Sequence, residues 1–163
     1  MSYQIIDNAL SPIDLLKIKS IMLSDQQMPW FYASNVTKQD SDKGCFYFTH
    51  MFMCDYKINS NLFDMMNPIL NILKPNALIR VKGNLYPNLG RDFRNENHID
   101  YDFQHNGAIF YVNTNNGKTI LEDDIEIDSV ENRLLIFDAS KPHCSTHCTD
   151  EKIRVNINFN YYG

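Results

Sequence analysis

The chain has 163 residues, of which 44% are apolar, a size typical of one domain with its own hydrophobic core. Lys and Arg number 15 against 20 Asp and Glu, so the formal net charge is −5. Duplex DNA is therefore an improbable partner, because surfaces that neutralise phosphates are basic. The longest apolar run, residues 108–112, is far shorter than the roughly 20 residues of a membrane-spanning helix. The opening MSYQIIDNAL lacks the features of a secretory signal, so we predict a cytoplasmic protein with no membrane partner.

The first part of the chain, residues 1–75, carries the helical signals and is expected to form a helical support region. Ser11 before Pro12 predicts the start of a helix, with Ser11 as N-cap. Apolar side chains follow at near-helical spacing, namely Ile13, Leu16, Ile21 and Met22.

A second helix is predicted over residues 61–73. Its apolar side chains would share one face: Leu62, Met65, Met66, Leu70 and Leu73. Pro68 lies inside this stretch and is expected to kink or split the helix. Between the two helices, the aromatic-rich residues 45–54 (CFYFTHMFMC) favour a strand.

Residues 76–163 show short β-rich segments every 8 to 12 residues, with turn residues between them. Eight strands are predicted, at about 77–86, 97–102, 107–113, 117–122, 125–130, 132–138, 142–147 and 152–161. In the last strand, polar and apolar residues alternate strictly, so they should occupy opposite faces. Eight strands behind a helical prefix predict a mainly β (α+β) domain over residues 1–163, with a jelly-roll core at 76–163.

The chemistry-bearing residues concentrate in this second part. His98 and Asp100 are separated by one residue in a predicted strand, so both side chains should point to the same face. A metal held by this pair needs a third ligand, and His143 and His147 are both candidates. Two His and one carboxylate form the ligand set of non-haem Fe(II) sites with open coordination positions.

Arg154 lies in the interior of the last predicted strand, among apolar neighbours. A guanidinium in such a place is costly unless an anion meets it, because its planar fork needs acceptors. That anion could be a bound carboxylate or a core side chain such as Asp138.

The segment around His143 allows another interpretation. His143, Cys144, His147 and Cys148 lie within six residues and could form a structural zinc site. The spacing lacks the paired knuckles of such sites, however, and a zinc ion there would leave His98 and Asp100 unexplained. The cysteines are therefore expected to be reduced residues of a strand and a turn.

The chain resembles the Fe(II)- and 2-oxoglutarate-dependent dioxygenases over roughly residues 76–162. The resemblance is carried by His98-x-Asp100, then AIFYVN, NRLLIFDASKPHCST and KIRVNINF. It is greatest to the prolyl-4-hydroxylase-like members, particularly the small forms of bacteriophages. It implies a double-stranded β-helix of eight strands, Fe(II), 2-oxoglutarate and O2 as cofactors, and the host cytoplasm as location if the protein is viral.

The resemblance also implies roles for individual residues. His98, Asp100 and His143 match the catalytic metal ligands, and His143 is favoured over His147 because it stands 11 residues before Arg154. Arg154 and Tyr111 match residues that bind the far carboxylate of 2-oxoglutarate. Tyr86 matches a tyrosine that lines the co-substrate pocket.

The implied reaction is hydroxylation of an unactivated C–H bond, with release of succinate and CO2. We expect the substrate to be a prolyl or other side chain of a protein or peptide. A small-molecule substrate is also possible, because Arg91 or Arg94 in the loop at 87–97 could bind its carboxylate. That loop is either a lid over the substrate or an ordinary solvated loop. The alternative is a catalytically silent jelly-roll module, cupin-like or part of a virion, because jelly rolls host many functions.

Overall fold

The computed structural model describes residues 3–24, 28–35 and 44–163. Over these ranges the chain forms strands and two α-helices, with short 3-10 turns at Phe63–Met66 and Glu122–Asp124. In chain order the elements are β1 (Gln4–Ile6), α1 (Pro12–Met22), β2 (Phe31–Ala33), β3 (Tyr47–Cys54), β4 (Lys57–Ile58), α2 (Asn67–Leu73), β5 (Ala77–Pro87), β6 (Asn106–Tyr111), β7 (Asn115–Leu121), β8 (Ile125–Ser129), β9 (Arg133–Asp138), β10 (Cys144–Ser145) and β11 (Ile153–Tyr162).

The strands form two antiparallel sheets. The large sheet has the order β1-β9-β6-β11-β5-β3-β2, and β4 pairs with β3 beside this path. The small sheet has the order β10-β7-β8. The segment that contains Arg94 and His98 runs beside β10 without forming a regular strand. It is joined by two isolated β-bridges, Arg94 to Thr146 and His98 to His143. The predicted mainly β jelly roll with supporting helices is confirmed.

The helices cover the outer face of the large sheet. The helix start at Ser11 is confirmed, since its side chain accepts a hydrogen bond from the Asp14 backbone N–H. Pro68 splits the second helix as predicted, because the chain forms a 3-10 turn up to Met66 before α2 begins. Buried apolar side chains from the helices and the sheet form the main core, among them Ile18, Met22, Phe52, Met66, Ile69, Val81, Phe110 and Ile157.

The buried face of α1 matches the predicted apolar residues only in part, since Met22 is buried and Ile21 packs against the core, but Ile13 and Leu16 do not. Ile13 and Leu16 are 81% and 67% exposed, whereas Ile18 and Met22 are almost fully buried. Leu16 is two residues from Ile18, about 200° around the helix, so only one of them can face the sheet. The helix face that carries Ile13 and Leu16 is interrupted by the polar Ser20, one turn after Leu16. The face that carries Ile18 and Met22 is continuously apolar, and it therefore packs against the sheet.

The first 75 residues are not only a helical support. The strand predicted at 45–54 is confirmed as β3, and this part of the chain also supplies β1, β2 and β4. β1 pairs with β9, where Ile5 lies opposite Leu135, and β3 pairs with β5. Residues 1–75 therefore extend the large sheet at both of its edges as well as covering it.

Seven of the eight strands predicted for residues 76–163 are present, with shifted ends. The exception is the strand predicted at 97–102, which the structure reduces to one bridge at His98. After His98 the backbone leaves the small sheet, and the Asp100 N–H donates to the Ala139 carbonyl at 3.4 Å.

Among the described residues, none of the helices has the length and apolar composition needed to cross a bilayer.

Candidate active site

His98, Asp100 and His143 meet between the two sheets. One ligand atom from each lies within 4.8 Å of the others. Asp100 Oδ1 is 4.0 Å from His98 Nε2, and Asp100 Oδ2 is 3.9 Å from His143 Nε2. The two histidines exchange backbone hydrogen bonds of 2.9 and 3.0 Å, which fix their side chains beside each other. Three converging nitrogen and oxygen donors suit a divalent metal.

The surroundings give His98 and Asp100 the protonation states that a metal requires. Burial, together with the neighbouring His143, lowers the pKa of His98 to about 4, so its imidazole is neutral at pH 7. Burial opposes ionisation of Asp100, but Arg80 and His143 hold the pKa of that carboxyl well below its usual range. A neutral imidazole and a carboxylate are the forms that bind metal.

Asp100 is held by partners that the sequence analysis missed. Arg80 Nη2 donates to Asp100 Oδ1 at 2.7 Å, and Asn160 Nδ2 donates to Oδ2 at 2.8 Å. The Asn160 amide also lies 3.2 Å from His105 Nε2, and His105 Nδ1 donates to the Phe103 carbonyl. The carboxylate is thus oriented by two donors from β5 and β11, in the manner of the outer partners that orient metal ligands.

Arg154 is fully buried and lies in the same cavity. Its Nε donates to Ser129 Oγ at 2.9 Å, and its Nη2 donates to Thr119 Oγ1 at 3.1 Å. Its Nη1 has no hydrogen-bond acceptor among the described residues. The alternative partner Asp138 instead accepts hydrogen bonds from Ser140. A buried guanidinium with one unsatisfied nitrogen suits a carboxylate ligand.

The two predicted tyrosines occupy different positions. Tyr86 lines the cavity, and its ring centroid is 5.2 Å from Cζ of Arg154, its cross-strand partner. Tyr111 lies behind the cavity wall, where its hydroxyl donates to Thr119 Oγ1 at 2.7 Å. Thr119 thus accepts from both Tyr111 and Arg154. The structure therefore links Tyr111 to Arg154 in two ways, through the shared Thr119 hydroxyl and through its ring, whose centroid is 5.9 Å from Cζ of Arg154.

The cavity holds about 430 Å³ of empty space, counted to its open mouth, and its walls are mostly polar. It is lined by Lys82, Tyr86, His98, Asp100, Ile109, Thr119, His143, Cys144, Ser145, Arg154, Asn156 and Asn158. β5 and β11 supply one wall with side chains at every second position. Polar residues alternate with apolar ones along residues 80–86, and this pattern could have predicted that Arg80 and Lys82 face the cavity side. A strand with one polar face has that face in contact with solvent and the other face in the core.

His147 is not part of the metal cluster. Its ring packs edge-on against Tyr86 and Phe93, and its Nδ1 lies 3.1 Å from the Pro87 carbonyl oxygen. In the described part of the chain, His98, Asp100 and His143 are the one group of three or more His, Cys, Asp or Glu close enough to share a metal. No disulfide joins the four cysteines, and within the described ranges no cluster of Cys and His matches the zinc alternative.

Most of the loop at 87–97 is attached to the small sheet. The Asn95 N–H donates to the Ser145 carbonyl at 2.9 Å, and the His147 N–H donates to Phe93. Arg94, one of the two candidate anion-binding residues of this loop, forms a 3.0 Å salt bridge with Asp124. The exposed remainder is a short turn around Gly90, whose N–H donates to the Asn88 side chain.

Comparisons with known proteins give structural neighbours only, because neither a family model nor a curated protein matches the sequence. A prolyl hydroxylase from Trichoplax adhaerens, in complex with a hypoxia inducible factor oxygen degradation domain peptide fragment, is 15% identical with a TM-score of 0.71. That likeness covers 98% of this chain and 83% of that one. A 2OG-Fe(II) oxygenase family oxidoreductase from Burkholderia pseudomallei has a TM-score of 0.74 at 9% identity, over 98% and 84% of the two chains. A Pseudomonas putida prolyl-4-hydroxylase has a TM-score of 0.64 at 13% identity, over 99% and 92%.

These likenesses establish the class of fold. The chain has the double-stranded β-helix of the Fe(II)- and 2-oxoglutarate-dependent oxygenases, in the form that prolyl hydroxylases share. The expected fold is thereby confirmed over nearly the whole chain.

Proposed function

We propose that this protein is an Fe(II)- and 2-oxoglutarate-dependent dioxygenase that hydroxylates an unactivated C–H bond and releases succinate and CO2. One observation carries the proposal. The cluster of His98, Asp100 and His143 shares a cavity with the buried Arg154, whose Nη1 lacks an acceptor within the described residues. A metal-binding face and a carboxylate-binding cation at one site are what an iron and a 2-oxo diacid require together.

The donor set fits Fe(II), since two imidazoles and one carboxylate leave coordination positions open. Bound Fe(II), with 2-oxoglutarate and O2, would supply the oxidising chemistry. His98, Asp100 and His143 would hold the metal, while Arg80 and Asn160 keep the Asp100 carboxylate oriented. Arg154 would bind the far carboxylate of 2-oxoglutarate, steadied by Thr119 and by Tyr111 behind it.

For the substrate, we propose a prolyl or other side chain of a protein or peptide. The peptide held by the similar Trichoplax adhaerens hydroxylase supports this choice. The net charge of −5 counts against duplex DNA. An amino acid or similar small molecule is the other candidate substrate.

The test begins with binding in the absence of oxygen. Fe(II) and 2-oxoglutarate added anaerobically to the purified protein should give the weak visible charge-transfer band of the chelate, and Asp100→Ala should lack it. In air, succinate formation should require both Fe(II) and 2-oxoglutarate and should rise with proline-containing peptides. Lys57→Met, at an exposed position of β4, is the control and should match the wild type.

The result that contradicts the proposal is a folded protein that binds neither Fe(II) nor 2-oxoglutarate. That result would favour the silent jelly-roll module instead. Stimulation by single-stranded oligonucleotides and none by peptides or amino acids would keep the reaction class and overturn the substrate.

A further inference from the structure

Lys82 occupies the centre of the sheet wall that faces the proposed metal site. It lies on β5, opposite Asn158 of β11 on one side and Met51 of β3 on the other. It lines the same cavity as His98 and Asp100. A cationic side chain therefore lines the cavity between the two sheets, although the function proposed above assigns it no role.

The charge of Lys82 has no direct counter-ion in the described part of the protein. Its Nζ lies 5.6 Å from the ring centroid of Tyr47, a cation–π contact that supports the side chain without neutralising it. Asp100, the one acidic residue that lines the cavity, already has Arg80 on one oxygen and Asn160 on the other. Burial and the nearby Arg80 lower the pKa of Lys82 to about 8, which leaves the amine mostly protonated at pH 7.

A count of charges shows what is missing from the cavity. The charged residues in its lining are Lys82, Arg154 and Asp100, and Arg80 contacts Asp100 from behind. Fe(II) and the 2-oxoglutarate dianion would add charges that cancel. Two positive charges in excess therefore remain when the proposed cofactors are bound. Unpaired charge inside a protein is unfavourable, so a further anion is expected there.

We propose that Lys82 is a specificity-determining residue that binds an anionic group of the substrate, a carboxylate close to the carbon that is hydroxylated. This inference rests on the proposed oxygenase function and narrows its substrate class. The substrate would be an amino acid with a free carboxylate, or a peptide with an acidic residue beside the modified one. The amine of Lys82 would donate hydrogen bonds to that carboxylate, while Tyr47 holds the aliphatic stem.

The test compares probes that differ only in charge. Glu-Pro-containing peptides are paired with the Gln-Pro equivalents, and L-proline is paired with L-prolinamide. Stimulation of 2-oxoglutarate turnover is measured for each pair, and anaerobic binding is followed through the probe's perturbation of the chelate band. The acidic member should have a KM lower by about tenfold or more. Lys82→Met should reduce this preference to near unity, and Lys82→Arg should retain part of it.

One control variant and the chelate band of the wild type separate the possible failures. Lys57→Met removes an exposed lysine of β4 and should keep the full preference for the acidic probes. A wild-type protein without the chelate band would contradict the proposed function itself. If the chelate band forms but acidic and neutral probes have equal KM values, the role of Lys82 alone is overturned. The same holds if the chelate band forms and no anionic probe gives a response. A preference that survives in Lys82→Met would overturn that role as well.

Discussion

Asp100 and Arg154 are two charged residues of the cavity that the protein treats in opposite ways. Asp100 receives hydrogen bonds from Arg80 and Asn160, so its charge is compensated within the protein. Arg154 uses two of its nitrogens on neutral hydroxyls and has no acceptor for the third among the described residues. Leaving a buried donor of a charged group unpaired costs on the order of 1–3 kcal/mol or more. The unpaired nitrogen is the reason why we propose that a carboxylate binds at Arg154.

Replacement of Arg154 by lysine tests this account. Lys keeps the charge but loses the planar pair of donors, so 2-oxoglutarate should bind about ten- to a hundredfold more weakly, a loss of roughly 1.5–3 kcal/mol. The KM for 2-oxoglutarate should rise more than the turnover at saturation falls. Arg133→Lys, which alters a salt bridge with Asp7, is the matched control and should change neither. An unchanged KM in Arg154→Lys would remove this residue from the site.

The two nearby histidines should behave differently when each is replaced by alanine. His143→Ala removes a donor from the metal cluster and should abolish tight Fe(II) binding, measured as bound iron after anaerobic gel filtration. His147→Ala should keep most of the iron, because its ring packs between Tyr86 and Phe93 away from the cluster. Its expected effect is lower stability, by about 1–3 kcal/mol. The reverse outcome for iron would move the third ligand to His147.

At the scale of elements, β11 separates the core from the cavity. One of its faces contributes Val155, Ile157 and Phe159 to the packing beneath the helices. The other face carries Arg154 and the asparagines at every second position, on the cavity side. Because successive side chains of a strand point in opposite directions, one element serves both purposes.

The beginning of β7 approaches β11 closely at Gly117. A Cβ at this position would lie 2.6 Å from Arg154 Cδ, so Gly117→Ala should displace the guanidinium. We expect a loss of stability of about 1–3 kcal/mol and a raised KM for 2-oxoglutarate. Gly83→Ala, whose Cβ would meet Met22 and Phe52 at 3.2 Å on the helix side, is the control.

The measurements are urea denaturation and a 2-oxoglutarate titration. Both variants should shift the denaturation midpoint, and Gly117→Ala alone should shift the KM. Equal KM values in the two variants would show that Arg154 adapts to the added methyl group.

At the scale of the whole molecule, contacts between distant parts of the sequence surround the site. The N-terminal part covers one face of the large sheet and is tied to the core by Asn132, whose side chain hydrogen-bonds the backbone N–H and carbonyl of Leu10. The metal cluster joins residues from two separate loops, and its three donors converge in the folded chain. A ligand that binds the folded state and not the unfolded state stabilises the fold by mass action.

Metal and co-substrate should therefore raise the melting temperature together. Mn(II) with 2-oxoglutarate at about 100 times the dissociation constant should stabilise the fold by about 2.7 kcal/mol, which corresponds to roughly 5–10 °C. Asp100→Asn should show no shift with either ligand. Thermal denaturation followed by circular dichroism measures this, and an equal shift in Asp100→Asn would place the ligand elsewhere.

Local sequence patterns predicted those parts of the structure that depend on neighbours in the chain. Ser11 and Pro12 set the start of α1, Pro68 divides the second helix, and polar–apolar alternation defines β11. The periods of helices and strands, 3.6 and 2 residues, are written directly into the order of residues. The pairing of His98 with Asp100 was predicted from the alternation of a strand at 97–102, and the two side chains meet although the structure reduces that strand to one bridge at His98. A family resemblance suggested His143 and Arg154.

By itself, the sequence thus determined the jelly-roll class, most of the strands and the candidate site residues. Only the tertiary structure decided that Leu16 faces away from the sheet, that β1 to β4 extend it, and that His143 rather than His147 lies beside Asp100. It alone revealed Lys82 in the lining of the cavity and Arg80 behind Asp100. The physical reason is that such contacts join residues far apart in the chain, and which strands pair is decided by burial of the whole molecule, not by any local period.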